Sequence, residues 1–335
     1  MRKEPSPQRK VDSVLQQHYV ALSIIHPKMS DPAQSLRKID FSVPKELLDS
    51  PYGSELQLAV QLALQAGANM IEYCDSKGTE AEASHDLGIN TKSQPADFCT
   101  KIDVENELVV MTTIQKQFPT HKIIGEEAVG TGVIPPLTAD PTWIIDPIDG
   151  TTNFAAGLPL TCVSIGFCVG QKPVMGVAYA PMTNELYLAV QGHGAYRNGV
   201  KLSQRSHVPL SRAVVCFEFG YAQDSDKIDA MLAGVRRILV HGCRTTRQIG
   251  SGVLDLCYVA TGRLDVVYAG VAGEGWKPWD YCAGMLFAQE TGCCVETLDP
   301  ASAGKEFDIY SKSILCAGST KLAKELRQVV SGAKV

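Results

Sequence analysis

The sequence predicts a mixed α/β fold, and three observations carry that expectation. Segments with helical apolar spacing alternate with short apolar runs of strand character along the chain. Three strand-like runs, over 161–169, 174–180 and 185–190, follow one another with no helix between them, which argues against a simple βαβ repeat. Gly170, Pro173, Pro181 and Asn184 supply the turns that separate them.

The elements read in order as follows. Pro5, Pro7, Pro27, Pro32, Pro44 and Pro51 set residues 1–50 apart as an extension, with one short helix expected over 11–25. Ser54 reads as the cap of the first main helix, in which Leu58, Ala59, Leu62, Ala63 and Ala66 recur at helical spacing as far as Cys74. A second helix is expected over 103–118, with Val104, Leu108, Met111 and Ile114 on one face and Pro119 as its stop. A strand over 122–124 delivers Gly125, Glu126 and Glu127. The Pro136–Pro141 stretch is a loop, and Trp143, Ile144 and Ile145 form an apolar strand that runs into Asp146. Arg197-Asn198-Gly199 reads as a hairpin turn. Beyond 209, strands over 213–219, 264–268, 292–296 and 315–318 alternate with helices over 227–240, 251–260, 280–290 and 319–330. The expected organisation is an extension (1–50), an α+β portion (51–205) and an α/β portion (206–330).

The chain has 335 residues, 45% of them hydrophobic, which is enough to bury a large core without disulfides or structural metals. A net charge of -5 with no long basic run excludes a nucleic-acid binder driven by backbone charge. No apolar run reaches the roughly 18 residues of a membrane span. The N-terminus lacks a secretory apolar core, so a cytoplasmic protein is expected; its basic residues, interrupted by Glu4 and Asp12, leave an organelle transit segment open. The 11 cysteines are odd in number and none forms a C-x-x-C pair. Cys162, Cys168 and Cys257 sit in apolar surroundings, so buried free thiols in a reducing compartment are expected.

The informative segment is Asp146-Pro147-Ile148-Asp149-Gly150-Thr151-Thr152. Two acids lie three residues apart at the end of an apolar strand. Carboxylates suit hard cations, which take oxygen ligands. Gly150 allows a tight turn, and the amides after it can open a helix that holds a phosphate. Asp-Pro and Asp-Gly are also ordinary turn dipeptides whose acids face solvent. Other acids near element ends weigh against that plainer reading: Glu126 and Glu127 follow a strand, Asp97 and Asp103 flank a helix start, and Asp280 precedes an apolar helix. For Asp97, Asp103 and Asp280, simple capping remains the alternative.

Several ordered blocks resemble the inositol monophosphatase family of magnesium-dependent, lithium-sensitive phosphatases. They are Lys92-Ser93-Gln94-Pro95-Ala96-Asp97, Thr100-Lys101-Ile102-Asp103, Gly125-Glu126-Glu127, the string W-I-I-D-P-I-D-G-T-T-N-F from Trp143 to Phe154, the block from Gly192 to Gly199, and Trp279-Asp280-Tyr281-Cys282-Ala283-Gly284. The resemblance covers about 54–325. It implies a layered α-β-α-β-α fold, commonly a homodimer, and a small phosphate monoester as substrate. It places Glu126, Asp146 and the Ile148 carbonyl on one Mg2+, and Asp146, Asp149 and Asp280 on a second. A weaker third ion would rest on Glu126. By the same resemblance Glu126 and Thr151 orient and deprotonate the attacking water, and Asp103 bonds to Thr151. Gly150 and Thr151 offer amides to the phosphate, and Lys92 sits on a loop balancing the acidic cluster. Lithium is implied to compete at Asp146, Asp149 and Asp280. Cys162 and Cys282 lie near these blocks but are not expected to act as nucleophiles.

Substrate choice is expected to rest on Gly250, Gly252 and a glutamate before Trp279. Gly252 stands where the family usually has alanine. Tyr221 and Ala222 stand where it has small hydroxyl residues. Either Glu274 or Ala269 occupies the glutamate position, and Glu274 is favoured because a carboxylate accepts bonds from vicinal hydroxyls. The expected activity is hydrolysis of myo-inositol monophosphate in inositol phosphate metabolism, with galactose 1-phosphate and histidinol phosphate as alternatives. A silent homolog would have lost a metal acid, and none is missing. A glycosidase pair of carboxylates would work without metal.

Overall fold

The computed structural model of the protein describes residues 42–80 and 87–332; the helix expected over 11–25 lies outside them. Helix α1 (Lys45–Leu48) leads into α2 (Gly53–Ser76). The latter starts one residue before the expected cap. Tyr52 holds the cap position without a side-chain bond, and the Ser54 hydroxyl donates to Glu55 instead, at 2.7 Å. Strands β1 (Asn90–Gln94) and β2 (Asp97–Cys99) form an antiparallel hairpin that the apolar pattern does not announce, since most of its residues are exposed or half-buried.

Helix α3 (Lys101–Gln117) begins with a capping box between Thr100 and Asp103. Its buried residues are Asp103, Asn106, Glu107, Val110 and Ile114. The face expected from Val104, Leu108 and Met111 is wrong by part of a turn: Val104 is 45% and Leu108 65% exposed. Polar side chains occupy the inner stripe because each finds a partner there. Asn106 accepts from Asn69 at 2.8 Å, and Glu107 accepts from the amides of Glu127 and Ala128.

A seven-stranded sheet runs in spatial order β3 (Lys122–Gly125), β4 (Thr142–Asp149), β5 (Cys162–Val169), β6 (Lys172–Ala180), β7 (Glu185–Val190), β8 (Gly194–Arg197) and β9 (Val200–Lys201). Short helices α4 (Glu126–Val129) and α5 (Thr151–Ala156) follow β3 and β4 directly. The β8–β9 turn is the expected two-residue hairpin, with Asn198 (φ 49°) and Gly199 (φ 74°) both left-handed. A five-stranded sheet has the order β11 (Thr245–Arg247), β10 (Val214–Glu218), β12 (Val266–Ala269), β14 (Ile314–Ala317) and β13 (Cys294–Glu296). Helices α6 (Ser225–His241), α7 (Gly252–Thr261), α8 (Pro278–Glu290) and α9 (Thr320–Ser331) complete the described α-helices.

Five layers result. Helices α2 and α3 cover one face of the large sheet; α7 and α8 lie between the two sheets; α6 and α9 cover the far face of the small sheet. Period-two alternation sorts the large sheet's side chains. Trp143, Ile145, Ile165 and Val177 point into the outer core, and Ile144, Cys162 and Ala178 into the middle one. The middle face is built from small residues, which lets α8 approach closely. A Cβ at Gly166 would lie 2.4 Å from the Cys282 sulfur. That approach brings Asp280, in the first turn of α8, beside the end of β4.

Candidate metal centre

The strand carrying Trp143 does not stop at Ile145; β4 continues through Asp149 and is buried throughout. Asp146 and Asp149 are three positions apart, so in a regular strand their side chains would point to opposite faces. The ladder to β5 shifts here: Asp146 pairs with Ser164 and Asp149 with Cys162, so three steps on β4 match two on β5. The extra residue re-aims one acid, as a bulge does. Oxygens of Asp146, Asp149 and Asp280 consequently lie within 4.8 Å of one another.

Asp149 is the most heavily bonded of the three. It accepts from the Ser251 hydroxyl, the Gly252 amide (3.2 Å) and the Val253 amide (2.9 Å), all at the start of α7. Among the described residues Asp146 accepts only from the Ile148 amide, at 3.0 Å. Asp280 is not the cap of α8. It sits three positions in, and its carboxylate accepts the Lys277 amide at 2.7 Å. Burial, followed by the charges of Glu126, Asp149 and Asp280, holds Asp146 well above the usual carboxylate range. Burial and then the Asp149 charge do the same to Asp280. For Asp149 burial outweighs the bonds from Ser251 and Val253, giving about 6. Among the described residues no salt bridge reaches any of the three.

Glu126 stands outside that trio. Lys92, on the β1–β2 hairpin, donates to Glu126 and to Glu127, each at 2.8 Å. Burial works against the Lys92 ammonium, but the two carboxylates outweigh it and its pKa is raised. The Thr151 hydroxyl lies 3.1 Å from the Ile148 carbonyl oxygen and 3.4 Å from Asp103 Oδ1. Asp103 is itself buried, which lifts it to about 7 despite bonds from Thr100. Gly150, at φ 85°, makes the turn into α5. Burial raises the Cys162 thiol, and the bond to Cys168 followed by burial raises the Cys282 thiol, so both environments favour the thiol over the thiolate.

Among the residues expected to set substrate choice, Gly252 backs directly onto the Trp276 indole, where a Cβ would meet the ring at 3.0 Å. Alanine at 252 therefore requires the indole to give way. Ala269 is buried at the end of β12 and offers no side-chain acceptor. Glu274 is half-buried; one oxygen accepts the Ala272 amide at 2.7 Å and the other is buried with no partner among the described residues. Gln94 donates to the Tyr221 carbonyl at 2.7 Å, which ties the Lys92 hairpin to the loop after β10.

Sequence reasoning assigns no individual site role to Ser251, Glu107 or Glu127. A signal existed for two of them. Ser251 precedes an apolar helical run as a cap does, and Glu107 lies one helical turn beyond Asp103. Glu107 accepts the amides of Glu127 (2.9 Å) and Ala128 (2.6 Å), and so anchors the turn that carries Glu126. Glu107→Ala leaves both amides without that acceptor. The expected cost is about 1–3 kcal/mol of stability, read from urea denaturation.

Three converging aspartates and a glycine-initiated turn between two stacked sheets define the class: a layered α/β protein that binds divalent metal at a carboxylate cluster. The chain belongs to the inositol monophosphatase family, whose family model matches residues 54–333. It is 41% identical to inositol monophosphatase 2 of Solanum lycopersicum over 220 residues, covering 65% of this chain and 80% of that one. To inositol monophosphatase 1 of Bos taurus it is 32% identical over 281 residues, 84% of this chain and 95% of that one. Among solved structures, the extragenic suppressor protein suhB of Bartonella henselae superposes with a TM-score of 0.71 at 25% identity, covering 84% of this chain and all (100%) of that one. The inositol monophosphatase of Anabaena (Nostoc) gives 0.67 at 28% identity, with 85% and 98% covered.

Proposed function

We propose that this protein is a magnesium-dependent phosphomonoesterase that hydrolyses a small polyol phosphate, with myo-inositol monophosphate as its principal substrate. The convergence of Asp146, Asp149 and Asp280 carries the reading. Their donor set fits a hard cation: the atoms are carboxylate oxygens, they are held close against their own repulsion, and among the described residues no salt bridge reaches them. Asp146, Asp149 and Asp280 would hold the metal, with Glu126 and the Ile148 carbonyl completing two to three ion positions. Bound there, magnesium supplies Lewis acidity to the phosphoryl oxygens and makes an attacking water more acidic.

The remaining steps fall to the chain. Thr151, donating towards Asp103 or the Ile148 carbonyl, keeps a lone pair to accept a hydrogen from the attacking water and so aim it. In this reading Glu126 leaves Lys92 and takes the proton. The amides of Gly150 and Thr151 are the proposed phosphate donors. Gly250 and Gly252 present backbone to the polyol, and the unpartnered oxygen of Glu274 accepts one of its hydroxyls. Lithium inhibition is expected from competition at the three aspartates. A cytoplasmic homodimer acting on a small molecule is the matching setting; no helix among the described residues is long and apolar enough to cross a membrane.

Metal binding should show in stability. Asp149 rises from 3.8 to about 6 on folding. An acid raised in this way destabilises the folded state when ionised. The cost is absent below about pH 4, grows between about pH 4 and 6, and persists above. Magnesium is expected to remove it, so the Tm difference between magnesium and EDTA should be larger near pH 8 than near pH 5. An equal or smaller difference at the higher pH contradicts the cation site.

The deciding assay compares kcat/KM for myo-inositol 1-phosphate, galactose 1-phosphate and histidinol phosphate with magnesium and with EDTA. Preference for the inositol ester is expected, with activity abolished by the chelator. Turnover that survives EDTA would sink the metal reading, and a preference for either other ester would reassign the substrate.

A further inference from the structure

A second acidic cluster lies behind the turn that holds Asp149. Ligand-capable atoms of Cys216, Glu218 and Asp255 lie within 4.8 Å of one another. Cys216 and Glu218 are two apart on β10, so they share a face; Asp255 is in the first turn of α7 and is fully buried. The Cys216 thiol donates to Asp255 Oδ1 at 3.1 Å. Asp255 Oδ2 is buried with no partner among the described residues. Glu218 Oε1 accepts the amides of Ile249 at 2.7 Å and Gly250 at 2.8 Å. The next three residues, Ser251, Gly252 and Val253, all donate to Asp149.

A buried carboxylate oxygen facing a second carboxylate needs either a cation or a proton. A proton suits this cluster better. Glu218 has already committed one oxygen to two amides, and the Cys216 sulfur is spent as a donor rather than free as a thiolate ligand. Burial followed by the Glu218 charge pushes Asp255 well above the usual carboxylate range. The hydrogens then run in one direction: thiol to Asp255, Asp255 to Glu218, and the turn amides and the Gln248 side chain to Glu218.

We propose that Asp255 is a positioning residue for the metal centre: as an uncharged acid it donates from Oδ2 to Glu218, and through Glu218 it fixes the turn that brings Ser251, Gly252 and Val253 to Asp149. The proposal rests on the phosphatase reading only for its kinetic readout. Asp255 touches none of the reacting atoms.

Asp255→Asn keeps both bonds, since its amide N–H can donate to Glu218 and its carbonyl can accept from Cys216. Asp255→Leu keeps neither. With myo-inositol 1-phosphate as the assayed ester, the leucine variant is expected to need about 10–100-fold more magnesium for half-maximal activity, and the asparagine variant should stay close to wild type. Infrared difference spectra of the magnesium-saturated proteins supply a readout independent of activity: wild type minus Asp255→Asn should contain the carbonyl stretch of one protonated acid. That band would persist even if the ester proved not to be a substrate, so the two readings fail separately. Absence of the band overturns the proposal. So does an asparagine variant as impaired as the leucine one, which is the result a metal site at this cluster would give.

Discussion

Asp146→Asn is expected to lower kcat about a thousandfold while leaving the metal-free protein as stable as the wild type or more so. The activity loss corresponds to about 4 kcal/mol of transition-state stabilisation, the scale on which a metal's Lewis acidity acts. Asp146 suits the test better than Asp149. Its carboxylate accepts a single amide, from Ile148, and an asparagine oxygen can accept the same bond. At Asp149 an amide would face four donors at once, the Cys162 thiol among them, and lost folding would be confused with lost chemistry. The expected stability gain follows from the cluster itself. Asp146 is 1% exposed and is crowded by Glu126, Asp149 and Asp280, so removing its charge relieves repulsion in the absence of metal. Thermal denaturation with and without magnesium, beside steady-state kinetics, reads all parts. A variant that keeps its magnesium-dependent rise in Tm and its turnover shows that Asp146 holds no metal.

Gly150→Ala should cost about 3 kcal/mol of stability and most of the activity. Two penalties add. At φ 85° and ψ 42° an L-residue pays about 1–2 kcal/mol for left-handed backbone. The added Cβ would also lie 2.9 Å from the Leu160 carbonyl oxygen and 3.2 Å from that of Gly250, neither of which is the loose end of a side chain. Crowding of this kind typically costs about 1–3 kcal/mol more. Relief requires the 149–151 turn to shift against the 250–251 turn, and these two turns carry Asp149, Thr151 and Ser251. Urea denaturation gives the first quantity and kcat/KM the second. Wild-type values in both would mean that neither turn is constrained as the structure has it.

Much of the fold was readable before any coordinates. Strand 185–190 matches its observed bounds, and most other boundaries fall within two or three residues, because apolar alternation and Gly or Pro punctuation are local signals. The β1–β2 hairpin was not readable. It carries few buried apolar residues, and it is held by Lys92 reaching Glu126 and Glu127 more than 30 positions away. The core face of α3 was misassigned for a related reason. Hydrophobicity located Val104 and Leu108, whereas the inner stripe is polar and satisfied by partners distant in sequence.

The candidate site divides in the same way. Residue types and order along the chain were enough to name the acids, the glycine turn and oxygen-based cation chemistry, because ligand preference is a property of the side chain alone. Convergence was not. Asp146 and Asp149, three apart, should point to opposite faces of a strand, and the register shift against β5 turns both into one centre. Asp280 joins them from more than 130 residues away because Gly166 lets α8 settle on the sheet. Ser251 donates to Asp149, and Glu218 accepts the amides of Ile249 and Gly250 just before it, through bonds that cross between elements. A sequence records which groups a protein owns; distances between groups far apart in it depend on packing, and packing exists only once the layers have closed.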